Sequence, residues 1–240
     1  MVPEVLALND AMSDNPTIFR NSGMLPIGMD FASVDYSVVN MRENGMLALL
    51  GDNDAKDRFV KCVLTTIAHN VVFHGIEAIV VDDKNRRLIE AAKMGFVKTY
   101  SSDTAEGLQN IEEFCDVIER LHENDETADG INLLVINSQD VMRRILADKR
   151  QSKMLADTIK NASEVGSFIL LATVENQAVG FNSSEALKTI KEERQAILFA
   201  PISENKMFEV SGRVKSDSAF DSSMAYRFDG STYSKIKLFE

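Results

Sequence analysis

Met46-Leu-Ala-Leu-Leu-Gly-Asp-Asn-Asp-Ala-Lys-Asp-Arg58 is the stretch whose reading decides the fold. Met46–Leu50 is an unbroken apolar run into Gly51. From Asp57 to Phe73 the apolar residues Val60, Val63, Leu64, Ile67 and Val71 recur at helical spacing, with Phe59, Ala68 and Val72 widening the stripe. Gly75 is the expected stop. A buried strand, a tight turn and a helix form the setting of a phosphate-binding loop, whose motif is G-x-x-x-x-G-K-[ST]. Gly51 matches its first glycine. The second glycine falls on Lys56, the lysine on Asp57 and the hydroxyl residue on Arg58. Gly51, Asp52, Asn53, Asp54, Ala55, Lys56, Asp57 and Arg58 are therefore the candidate residues of a degenerate nucleotide site. The same spacing also fits an ordinary α/β turn.

A working loop of this kind wraps phosphates with backbone N–H groups, which needs glycine's freedom at positive φ. Its lysine neutralises phosphate charge and its hydroxyl holds Mg²⁺. Asp57 puts negative charge where the positive charge belongs. At ~4 Å and an effective dielectric of ~20, one unit pair is worth roughly 4 kcal/mol, so the exchange removes an attraction and adds a repulsion. Lys56 could substitute only in a loop one residue tighter. Such a site also needs a carboxylate at the end of a neighbouring strand. The run Leu133-Leu-Val-Ile136 is present but ends in Asn137-Ser138. Neutral Asn binds Mg²⁺ poorly, and Ser cannot polarise water as Glu does. Asn137 and Ser138 join the candidate site as a second loss, and no catalytic residue is assigned.

The rest of the chain alternates strands and helices. A short helix within Pro3–Met12 precedes strands at Leu25–Met29 and Tyr36–Asn40, with a turn at Asn44-Gly45. Ile76–Val81 is a buried parallel strand ending at Asp82 and Asp83, followed by a helix over Lys84–Met94 and a strand at Phe96–Thr99. Asp103 and Glu106 have capping-box spacing before the stripe Leu108, Ile111, Cys115, Ile118. Then come a polar break at Asp125–Gly130, a strand at Ile131–Ile136, helices over 139–149 and 152–164, and a strand at Ser167–Ala172. A helix over 183–191 and strands at Gln195–Ala200, Ala225–Phe228 and Lys235–Phe239 close the chain. This pattern predicts an α/β fold with a mainly parallel, doubly wound sheet. Ligands in such sheets bind at the carboxyl ends of strands, so Gly51, Asp82/Asp83 and the segment after Ile136 are expected at one edge. The division expected is one domain over 1–240, with a lead-in at 1–45 and a core at 46–240.

At 240 residues, 45% hydrophobic and 26% charged, the chain has ordinary globular composition. Its net charge of −11 disfavours a nucleic-acid partner. Acidic residues concentrate between Glu106 and Asp129, reading as a solvated helix face or as a patch for a basic partner. The cysteines, Cys62 and Cys115, stand far apart at apolar helical positions and read as buried free thiols. No apolar run of about 18 residues spans a membrane, and no signal peptide is visible. The leading Met1-Val-Pro3 reads as an expression start. His69 and His74 are five apart, off the helical metal-pair spacing, so no metal site is assigned. Ile145, Leu146, Leu187 and Ile190 lie on short amphipathic helices and read as core, or as a partner-binding pocket.

Several segments resemble the FtsK/SpoIIIE branch of P-loop ATPases, and within it the last ATPase domain of the EssC/EccC coupling proteins of type VII secretion, closest to the Firmicutes type. They are Pro26-Ile-Gly-Met29 ahead of the loop, Val80-Val-Asp-Asp-Lys84, Leu133-Leu-Val-Ile-Asn-Ser138, Phe168-Ile-Leu-Leu-Ala-Thr173 and Ala196-Ile-Leu-Phe-Ala-Pro201. The resemblance covers nearly the whole chain. It implies a P-loop NTPase (RecA/FtsK-like) architecture with three α/β/α layers. It implies the cytoplasmic domain of a membrane-anchored protein, working with other ATPase domains of the same chain and oligomer. The implied partners are WXG-type secreted proteins and effectors, docked by a C-terminal export signal. Terminal domains of this family often have degenerate nucleotide sites. This chain departs from the active pattern at Lys56, Asp57, Arg58, Asn137 and Ser138, so ATP and Mg²⁺ are expected to bind weakly or not at all. The alternatives are an active motor using Lys56, a DNA translocase, and a structural subunit that completes an oligomer.

Overall fold

The computed structural model describes residues 1–20, 23–51, 54–69, 75–210 and 219–240. Two short helices, α1 (Leu8–Asp14) and α2 (Pro16–Phe19), precede the hairpin strands β1 (Met24–Asp30) and β2 (Tyr36–Asn40). A single turn, α3 (Met41–Asn44), leads through Gly45 into β3 (Met46–Leu50) and α4 (Asp54–His69). β4 (Ile76–Asp82), β5 (Val97–Ser101), α5 (Thr104–Glu123) and β6 (Ile131–Asn137) follow. Next come α6 (Gln139–Ala147), α7 (Lys149–Asn161), β7 (Ser167–Val174), α8 (Glu185–Glu193) and β8 (Gln195–Leu198). The antiparallel pair β9 (Met224–Asp229) and β10 (Thr232–Lys237) closes the chain.

The ten strands of the described residues join one sheet in the order β2-β1-β10-β9-β8-β3-β7-β6-β4-β5. The six from β8 to β5 are parallel. The other four are antiparallel to their neighbours. The sequence expectation of a mainly parallel α/β sheet holds.

Strand alternation explains the three layers. On β3, Met46, Ala48 and Leu50 face one side, where α5, α6, α7 and α8 bury Ile111, Met142, Leu155 and Ile190. Leu47 and Leu49 face the other, against Phe59, Val60, Val63 and Leu64 of α4. β6 and β7 divide the same way, with Ile136 and Leu171 on one face and Val135 and Leu170 on the other. A strand covered on both faces reads as a continuous apolar run, which is why these three were legible in sequence.

Helix starts follow their caps. The Asp103 carboxylate accepts from the N–H groups of Ala105 and Glu106, and Ser138 Oγ accepts from Val141 N. α4 begins at Asp54, three residues before the predicted start at Asp57. Asp52 and Asn53 of the loop, and Val71, Val72, Phe73 and His74 of the expected helix end, lie outside the described residues. Cys115 is buried and its thiol is pushed up to about 12 by that burial, while Cys62 is half-buried.

The predicted helix over Lys84–Met94 is corrected. That segment is a turn followed by a short 3-10 helix at Ile89–Lys93. Side-chain acceptors take the N–H groups that would start a helix: Asp83 Oδ1 accepts from Asn85 N and Asp82 Oδ2 from Leu88 N. Arg86 is turned to φ +54, which breaks any helical run.

Candidate functional site

In a doubly wound sheet, a ligand cleft opens at the carboxyl ends of strands where the order of connection reverses. Here β3 is that point, since β7 and β8 flank it and α4 leaves from its end. Register explains which side chains meet there. Asp82 of β4 stands directly opposite Asn137 of β6.

The meeting is a connected polar network. Asp82 is 1% exposed. Its Oδ1 accepts from Asn137 Nδ2 at 2.9 Å and from Asp83 N at 2.9 Å. Its Oδ2 accepts from Leu88 N at 2.7 Å and from the Tyr100 hydroxyl at 2.8 Å. Four donors leave this carboxylate no open face for a ligand. Burial, and then the bond to Asp82, push the Tyr100 hydroxyl well above its usual value.

From Asn137 the network crosses to the loop helix. Lys56 is 2% exposed, and its Nζ donates to Asn137 Oδ1 at 3.4 Å. The same Nζ lies 2.9 Å from Asp57 Oδ1, an ion pair. Arg87 reaches in from the loop after β4. Its Nη1 lies 2.6 Å from Asp57 Oδ2 and its Nε 3.4 Å from Asp83 Oδ2. Burial by itself would raise the Asp57 carboxyl, but Lys56 and Arg87 outweigh it and hold the group below the ordinary carboxylate value.

A depressed carboxyl contributes stability above its unfolded value that is lost as pH falls through the folded one. Arg87→Ala should therefore lower stability at neutral pH, by under about 1 kcal/mol because the Arg87 side chain is 40% exposed. The gap from wild type should close as the solution is acidified below the ordinary carboxylate value of 3.8. Urea midpoints of both proteins across that range check the sign.

The structure brings together most of the predicted site. Gly51, with φ +122, stands at the mouth, and Lys56, Asp57 and Asn137 form the network. Asp54 and Ala55 open α4. Arg58 points elsewhere, donating to the Ser222 carbonyl. Ser138 is 3% exposed and serves α6 as its cap. Among the described residues, two of the hollows at this edge are small. One of about 230 Å³ is lined by Lys56, Asp83, Arg87, Asn137 and Thr173. The other, of about 190 Å³, is lined by Gly51, Gln139, Thr173 and Glu175. Both fall below the roughly 300 Å³ at which ligand pockets begin.

Arg87 and Tyr100 were missed in the sequence. Arg87 is four residues beyond Asp83, a readable ion-pair spacing, but nothing local announces that it spans to Asp57. Of the four candidate partner residues, Ile145 and Ile190 are buried at 1% and 0%. Leu187 is also buried, at 6%, and with Leu146, Met142 and Ala147 it lines a hollow of about 300 Å³ that adjoins the Gly51 one through Gln139, Thr173 and Glu175. Among the described residues, no helix is long and apolar enough to cross a membrane.

No protein-family profile and no curated protein sequence matches the chain. Solved structures do. The cytoplasmic domain of EssC superposes with a TM-score of 0.76 at 20% identity, over 100% of this chain and 48% of that one. EssC (ATPases 2 and 3) from Geobacillus thermodenitrificans gives 0.76 at 20% identity, over 100% of this chain and 45% of that one. Thermomonospora curvata EccC (ATPases 2 and 3), in complex with a signal sequence peptide, gives 0.72 at 14% identity, over 100% and 44%. This chain thus spans about half the length of each of these three. Identities this low speak for architecture alone, and on that evidence the chain has the P-loop fold of the EssC and EccC cytoplasmic ATPase domains.

Proposed function

We propose that this chain is a catalytically impaired FtsK/SpoIIIE-type domain of a type VII secretion coupling protein, working as a substrate-docking or regulatory module. One observation carries the reading: the cleft that would take a nucleotide is filled by the chain's own ion pairs. Lys56, Asp57 and Arg87 neutralise one another at 2.6 to 2.9 Å. Where a carboxylate would hold Mg²⁺ stands the neutral amide of Asn137, already donating to Asp82 and accepting from Lys56. The partners are WXG-type secreted proteins and effectors, and other ATPase domains of a membrane-anchored, cytoplasmic assembly. The apolar hollow with Leu146 and Leu187 is the candidate docking place.

Isothermal titration with Mg-ATP is expected to give weak binding or none, and a synthetic C-terminal peptide of a native WXG-type substrate to raise the melting temperature. Sub-micromolar ATP affinity would overturn the impaired site. A full panel of native substrate peptides without a shift would overturn docking.

A second reading, an ATPase that uses Lys56, draws on the early start of α4. From α4, Lys56 reaches the end of β6, its Nζ 3.4 Å from Asn137 Oδ1. ATP turnover lost in Lys56→Ala would favour it.

A further inference from the structure

Asp57 is held by the devices that hold a phosphate. It lies in the first turn of α4, a 16-residue helix, where the N-terminal dipole favours negative charge. One oxygen meets the ammonium of Lys56, whose side chain is 3% exposed, and the other meets the Arg87 guanidinium. The Arg87 contact, at 2.6 Å, is a charge-assisted hydrogen bond, and the Lys56 ammonium at 2.9 Å makes an ion pair. The cations are themselves positioned from behind, Lys56 by Asn137 and Arg87 by Asp83. The acid side of the cleft is thus bound within the network: Asp82 by four donors, Asp83 by Arg87 and Asp57 by both cations.

We infer that the Asp57 carboxylate is an intramolecular occupant of a latent polyphosphate site, seated between Lys56 and Arg87 where a phosphate group would otherwise lie. The inference rests on reading this cleft as a former nucleotide site. It goes further in two respects. The cations that would grip phosphate are present and aimed, and the carboxylate seated between them is that of Asp57. The latent site takes its anion without a metal, because Lys56 occupies the approach to Asn137.

The probe is inorganic tripolyphosphate in the presence of EDTA, followed by isothermal titration and by melting temperature. Wild type is expected to show no saturable binding. Asp57→Gly, which removes the carboxylate and leaves both cations, is expected to bind saturably, at least about tenfold more tightly than the detection limit that wild type fails to reach, with a rise in melting temperature. Arg87→Ala in the Asp57→Gly background is expected to abolish the gain. A cooperatively folding Asp57→Gly protein with no gain overturns the inference, as does a gain that survives loss of Arg87. If the glycine variant does not unfold cooperatively, Asp57→Asn keeps the side-chain shape and an acceptor for Lys56, and the same gain is required of it. Tight Mg-ATP binding by wild type would sink the reading of an impaired site. An inert wild type with an equally inert Asp57 variant would sink the latent site alone.

Discussion

Asp82→Ala should lower folding stability by about 3–5 kcal/mol, the range for removing one partner of a buried charged network. The carboxylate is 1% exposed and receives Asn137 Nδ2, Asp83 N, Leu88 N and the Tyr100 hydroxyl. Alanine leaves those donors without their acceptor in a space too enclosed for bulk water, and each buried donor so stranded costs about 1–3 kcal/mol. Asp82→Asn keeps the volume and one acceptor oxygen, so its loss should be smaller, about 2 kcal/mol. Chemical denaturation of the three proteins, read at the midpoint with the slope held equal, measures this. A loss under about 1 kcal/mol for the alanine variant would mean that other contacts hold the turn after β4. The result bears on the cleft as well. The same turn carries Arg87 to Asp57, so loosening it should weaken the ion pair 2.6 Å long at its tip.

Gly28→Ala should cost about 3 kcal/mol, through overpacking and backbone strain together. Gly28 has φ +154, and a Cβ there would overlap the Lys237 carbonyl oxygen of β10. A flexible side chain could swing aside, but a paired backbone carbonyl cannot. The pairing of β1 with β2 shifts register between Pro26 and Gly28, so the kink is built at this residue. The glycine of Pro26-Ile-Gly28 therefore lets β1 lie against β10 and extends the parallel core with its antiparallel strands. Thermal and urea unfolding test the size of the loss. A variant as stable as wild type would show that the two strands can separate at this point without harm.

Much of the architecture was legible because burial on both faces of a parallel strand leaves a mark that needs no partner to be read. Met46–Leu50, Ile131–Ile136 and Ser167–Ala172 all became central strands. Caps were equally local, as at Asp103. The turn after β4 was misread because apolar residues between Leu88 and Met94 imitate a helical stripe. The carboxylates of Asp82 and Asp83 compete for the helix-starting N–H groups, and that competition depends on where the two side chains point.

The candidate site divides along the same line. By itself the sequence placed Lys56, Asp57 and Arg58 at the motif's glycine, lysine and hydroxyl positions, and Asn137-Ser138 at the end of a strand expected at the same edge of a sheet. Those are statements about residue type at fixed spacing. Only the tertiary structure decided what fills the cleft instead. Arg87 finds Asp57 across 30 positions and Asn137 finds Asp82 across 55. Such pairings follow from strand order and register. Hydrophobic periodicity records which face of an element is buried, but not which element lies beside it. A charge's meaning depends on its neighbour in space, so Asp57, which read alone is one more acid in a loop, is in the structure the carboxylate paired with Lys56 and Arg87.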